Sequence, residues 1–127
     1  MENPSERAAE LGAALRAALA ARDPEALRPL LAPGVTWGDP GTPGACAGPD
    51  EVIATMRGAL ARGVEATLGE AVAGRDAVLV EVTVAFPGEG EWPLVQVYDV
   101  TDGLVTRIRR FDDLASAREA AGVPEGR

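Results

Sequence analysis

A chain without His or Lys, and with one Cys and one Tyr, must rely mainly on carboxylates for any proton transfer. Asp39 is the carboxylate best placed for it. It follows the apolar run Val35-Thr36-Trp37 and precedes Pro40 and a Gly/Pro-rich stretch, a position that can hold an acid in a pocket wall. Desolvation there would raise its pKa and suit it to exchange protons near neutral pH. The plainer alternative is a turn-forming Asp before Pro. Asp112 is a second acid/base candidate, with Arg110 as its partner or as an anchor for an anionic substrate. Against that, Asp112 and Asp113 both suit the cap of a last helix, which needs only one of them.

Other side chains could hold a ligand. Gln96 and Tyr98 lie two apart in a predicted strand and so share a face, while Val95, Val97 and Asp99 point the other way. A Gln between valines needs partners for its amide, which favours a role as donor to a carbonyl or enolate oxygen. Tyr98 serves equally as core with a satisfied hydroxyl. Trp37 lines the pocket or the core, Met56 and Ile108 are wall or core, and Trp92 covers a sheet edge or the pocket mouth. Arg16, on the flank of the first helix, is a solvated Arg or a pocket cation. Cys46 has no His or second Cys near it in sequence, so it is not expected to be a nucleophile.

The elements that must position these groups are legible as periodicity. Leu11, Leu15, Ala18 and Leu19 mark a helix over 5–21; Asp23-Pro24 stops it and starts a short helix over 24–31. A short strand follows over 35–37, an irregular loop over 38–49, and a helix over 50–62 carrying Val52, Ile53, Met56 and Leu60. After Gly63 the period changes to two: strands are predicted over 64–73, 77–86, 92–100 and 104–111, joined by hairpin turns. A last helix over 114–121 ends at Gly122. The sum is α+β, three helices covering one face of a curved antiparallel meander, a layout that leaves a cavity. Periodicity alone sends Val78, Val80, Val82 and Val84 to the cavity side; the alternative puts them on a dimer interface.

Totals bound the function. The 127 residues form one expected domain, 46% apolar, with its core at about 5–121. A net charge of −8 argues against nucleic acid and anionic membranes, and no apolar run reaches spanning length. With one Cys and no expected signal peptide, a reducing cytoplasm fits. Zinc, Schiff-base and His-dependent nucleophile chemistries lack their residues, and no phosphate-binding loop is present. No metal and no cofactor are expected.

The order of elements, with Asp23, Leu31, Val35 through Pro40, Gly48 and Val52, resembles the ketosteroid isomerase family. More broadly it is similar to SnoaL-like polyketide cyclases and the nuclear transport factor 2-like superfamily. The run Asp102 through Ile108 and Phe111 through Leu114 adds to the resemblance, which covers about residues 5–121. It implies a cone-shaped α+β barrel, with Asp39 at the general-base position. It sets Arg16 and Gln96 at the two positions that hold the substrate oxygen, and places Thr106, Ile108, Arg110 and Asp112 on the concave face. A cofactor-independent isomerase, cyclase or dehydratase acting on a hydrophobic oxygenated small molecule (polyketide-, steroid- or terpenoid-like) is expected. The alternatives are a non-catalytic small-molecule-binding or dimerisation domain and, less centrally, epoxide hydrolase-like activation of water. A homodimer is expected through an apolar convex face carrying Val95 and Val97.

Overall fold

The computed structural model describes residues 4–38 and 45–123. Helix α1 (Pro4–Ala21) buries Leu11, Leu15 and Ala18 on one stripe. Asp23 then accepts a hydrogen bond from the Glu25 amide at 3.2 Å and starts a 3₁₀ segment, Pro24–Leu30. The expected short α-helix is thus a tighter turn, because Pro29 within it has no N–H to give to an α-helical ladder. Helix α2 (Pro49–Ala61) starts on Pro49 with Asp50 and Glu51 in its first turn, favourable near the positive helix end, and buries Val52 and Ile53.

Six strands form one sheet: β1 (Leu31–Trp37), β2 (Cys46–Ala47), β3 (Glu65–Gly74), β4 (Ala77–Phe86), β5 (Gly90–Thr101) and β6 (Leu104–Phe111). Their order is β2-β1-β6-β5-β4-β3, and the curved sheet stays unclosed, so the cone is completed by helices and not by strand pairing. The four-strand meander matches expectation. Beyond it, β1 begins four residues earlier than periodicity suggests and joins β6 in parallel, with Trp37 opposite Ile108. Pairing between sequence-distant strands leaves no local signal, which is why periodicity does not reveal this edge of the sheet.

Alternation along β4 sorts its side chains cleanly. Val78, Val80 and Val82 pack with Leu15, Leu27, Val35, Tyr98 and Ile108 beneath α1 and α2. Ala77 and Leu79 face the other way and join Val95, Val97, Ala117 and Ala121 under α3 (Leu114–Ala121). The valine set therefore belongs to the concave side, not to an interface. The apolar convex face that suggested a dimer is covered largely by the chain's own last helix: Val97 is fully buried there. Asp113 caps α3 by accepting from the Ser116 amide at 2.8 Å, a bond that holds its carboxyl below the usual range. Contact is closest at Gly74, where a Cβ would lie 2.1 Å from the Ala121 carbonyl oxygen. Among the described residues no helix is long and apolar enough to cross a membrane.

Candidate functional site

Between the helices and the concave face lies a cavity of about 400 Å³. Helix α1 gives Leu15, Ala18 and Leu19 to it, the 3₁₀ segment Pro24 and Leu27, and α2 Met56, Ala59 and Leu60. Strand alternation supplies the floor: Ala66 and Leu68 from β3, Val82 and Val84 from β4, Leu94, Gln96 and Tyr98 from β5. Trp37 closes the β1 side and Phe86 the far end of β4. The polar residues in this apolar wall are Thr55, Arg62, Gln96, Tyr98 and Arg110.

Gln96 and Tyr98 form a hydrogen-bonded pair on the cavity floor. The Tyr98 hydroxyl donates to Gln96 Oε1 at 2.5 Å, and Tyr98 is 4% exposed. Burial pushes the phenol well above its ordinary pKa, since the phenolate would lose its water. Tyr98 therefore stays a donor throughout the physiological range. With Oε1 engaged, the carboxamide has its N–H groups left to offer, and Gln96 is half-buried on the cavity floor. Arg110 lies opposite Gln96 across the β5–β6 ladder and also lines the cavity. Its guanidinium meets Asp112 at 3.2 Å, both side chains largely exposed, so the pair is worth little to stability.

Of the residues singled out from sequence, the cavity brings together Trp37, Met56, Gln96, Tyr98 and Arg110. Asp39 lies outside the described residues; Trp37, two residues before it, is in the wall. Three others are elsewhere. Arg16 is exposed and donates to the Gly69 carbonyl at 2.5 Å, tying α1 to β3. Adjacent helix residues point about 100° apart, so Leu15 enters the cavity and Arg16 turns to its flank. Ile108 is fully buried core behind Tyr98, its ladder partner. Asp112 stands beyond the end of β6, where strand alternation lapses, and its side chain is 86% exposed. It lines a separate groove with Glu81, Thr83 and Pro93 and does not face the cavity. Thr106, also expected on the concave face, donates to the Asp99 carbonyl at 3.3 Å and is not among the cavity-lining residues. Trp92 is 45% exposed and stacks edge-on against Phe86 with centroids 5.4 Å apart.

Sequence reasoning missed Arg62, Phe86 and the leucines of α1. Phe86 and Leu94 were findable, since they share parity with Val84 and Gln96; Arg62, the last residue before a helix-ending Gly, gave no signal of a pocket role. Cys46 is buried, its Sγ 3.0 Å from Thr55 Oγ1. Among the described residues no three carboxylate or Cys side chains cluster as metal ligands would.

Known proteins share this architecture. The SnoaL-like domain model matches residues 13–108. A candidate ketosteroid isomerase from Kribbella flavida superimposes with a TM-score of 0.69 at 23% identity, over 86% of this chain and 79% of that one. A candidate polyketide cyclase from Sinorhizobium meliloti gives 0.60 at 24% identity, over 74% and 86%. An LEH-like epoxide hydrolase of M. tuberculosis gives 0.66 at 21% identity, over 92% and 90%. Likeness at these identities shows the shared fold, and activity must be argued from the site. No curated protein matches the chain.

Proposed function

The chain belongs to the SnoaL-like domain family, and from that premise we propose that it is a cofactor-independent acid/base enzyme for a hydrophobic, oxygen-bearing small molecule, of isomerase, cyclase or dehydratase type. The observation that carries this is the Tyr98–Gln96 pair in an apolar cavity. A buried hydroxyl fixes the carboxamide, and the carboxamide keeps its donors for a substrate oxygen. Such preorganised donors stabilise an enolate more than they do a ketone, because negative charge grows on the oxygen as the C–H bond breaks.

In the proposed step the Asp39 carboxylate takes a proton from the carbon next to a substrate carbonyl. The C–H electron pair moves into the new C=C bond, and the carbonyl π pair moves onto the oxygen. Gln96 donates to that oxygen, with Arg110 adding positive charge nearby. Returning the proton to a different carbon completes an isomerisation; attack of the enolate on a second carbonyl closes a ring, the new alkoxide taking the proton from Asp39; and loss of a β-hydroxyl, which takes that proton and leaves as water, gives a dehydration. Neutral apolar walls suit a polyketide-, steroid- or terpenoid-like body.

Exchange of α-protons reports this step whichever product follows from it. A panel of ketones and β-keto esters is incubated with the protein in D₂O and the exchange is followed by NMR. Asp39→Asn should slow exchange by roughly 10²- to 10⁴-fold while ligand affinity and folding are retained. Full exchange by that variant would remove Asp39 from the mechanism.

One observation favours the second reading, a non-catalytic binding domain: the described cavity lining contains no carboxylate. Binding without exchange in wild-type protein would decide for it. Water activation by an Asp/Arg pair is less favoured, because the Asp112 partner of Arg110 lies outside the cavity. We also propose assembly as a homodimer, through the part of the convex side that α3 leaves open, along Glu81, Thr83 and Pro93.

A further inference from the structure

The charge of the described cavity lining runs against the charge of the chain. The sequence holds 20 acidic residues and 12 arginines, yet the described lining has two arginines and no acid. The two arginines are not equivalent. Arg110 is already paired with Asp112. Arg62 makes no ion pair and no side-chain hydrogen bond among the described residues, although it lines the cavity.

The ordinary role for an Arg at this place is to satisfy the negative end of α2. That role is filled without its side chain. The Arg62 backbone N–H bonds the Gly58 and Ala59 carbonyls, and the Leu60 carbonyl accepts from the Arg22 guanidinium at 2.8 Å. What remains is a guanidinium that lines an apolar cavity from the end of α2, where a Cβ on Gly58 would lie 3.4 Å from its Nη1.

Its distance from Gln96 matters. Gly63, the next residue, packs against Pro87, where a Cβ would lie 2.9 Å from the proline ring, so Arg62 belongs to the Phe86 end of the cavity. Gln96 pairs with Val80, six residues back along β4. A strand rise of about 3.4 Å sets the two backbones on the order of 20 Å apart along the sheet, a gap that both side chains shorten.

We propose that Arg62 is an anion-binding residue and that the ligand is an elongated amphiphile. Its carbonyl end reaches Gln96, its apolar body lies on Leu68, Val82 and Val84, and an anionic group such as a carboxylate ends at Arg62. This rests on the small-molecule site described above and adds to it the charge and shape of the ligand.

The test uses two matched fluorescent probes, 8-anilinonaphthalene-1-sulfonate and its uncharged parent N-phenyl-1-naphthylamine. Each is titrated into wild-type protein, Arg62→Gln and Arg110→Gln. Wild type should prefer the sulfonate, and the two probes should compete. Arg62→Gln should weaken sulfonate binding about three- to fivefold, the range for one exposed ion pair, and leave the neutral probe unchanged. Added salt should erase the preference in wild type and have little effect in Arg62→Gln. Equal affinity of wild type for both probes overturns the proposal, as does a preference that survives Arg62→Gln or is lost only in Arg110→Gln; the neutral probe still binds in those cases, so the cavity stands. If neither probe binds, the small-molecule site fails and the anion-binding role of Arg62 fails with it.

Discussion

The Tyr98–Gln96 bond can be tested without a substrate, because Tyr98 is the chain's one tyrosine and its ionisation can be followed at 295 nm. Tyr98→Phe removes one oxygen from a residue that is 4% exposed, leaving the ring and its packing in place. The loss is the hydrogen bond plus an acceptor, Gln96 Oε1, left short of a donor in a half-buried setting. Together these cost about 1–2 kcal/mol at neutral pH. Alkaline pH reverses the balance. The folded-state pKa of Tyr98 is raised by burial, so its contribution is fully present below the unfolded value of about 10 and is lost as pH rises beyond it. Above pH 10 the unfolded chain releases the proton and the folded one keeps it, which lowers stability by about 1.4 kcal/mol per pH unit. By pH 11.5 the wild type has lost roughly 2 kcal/mol that Tyr98→Phe cannot lose. Urea midpoints of the two proteins should therefore differ at pH 7 and converge near pH 11.5. The native phenolate absorbance should rise only well above pH 10 and together with unfolding. A native Tyr98 that titrates near 10, or a stability difference that stays constant with pH, refutes the buried dyad and removes the main support for Gln96 as an oriented donor.

Two further outcomes follow from the sheet's convex side. Gly74→Ala sets a methyl group against the Ala121 carbonyl, and should cost at least about 2 kcal/mol in chemical denaturation by displacing α3; wild-type stability would mean that the backbones separate freely. For the homodimer, sedimentation equilibrium at micromolar concentration should give twice the 13.1 kDa chain mass, and a monomer would exclude this assembly.

Local chemistry in the sequence was enough to place most elements. Turn residues and changes of hydrophobic period put α1, α2, the four meander strands and α3 within a residue or two of their observed ends. Alternation in β5 put Gln96 and Tyr98 on one face, because a two-residue repeat leaves no third choice, and both line the cavity. For β4 alternation grouped the valines on one face but left open which face that was, and the packing against α1 and α2 settled it. Helix positions were harder: the family frame set Arg16 in the pocket, and a shift of one residue, about 100° of rotation, put Leu15 there in its place. Asp112 stands outside the cavity for another reason, since the alternation that would have turned it inward ends with β6 at Phe111.

What one-dimensional pattern determined, then, was which segments are helix or strand and which strand side chains share a face, since both depend on neighbours a few residues away. Tertiary structure alone decided the parallel seam between β1 and β6 and the burial of Val95 and Val97 under α3. It also decided the presence of Arg62 in the cavity lining. Each of these depends on the distance between segments remote in the chain, and that distance is set by how the helices close over a curved sheet.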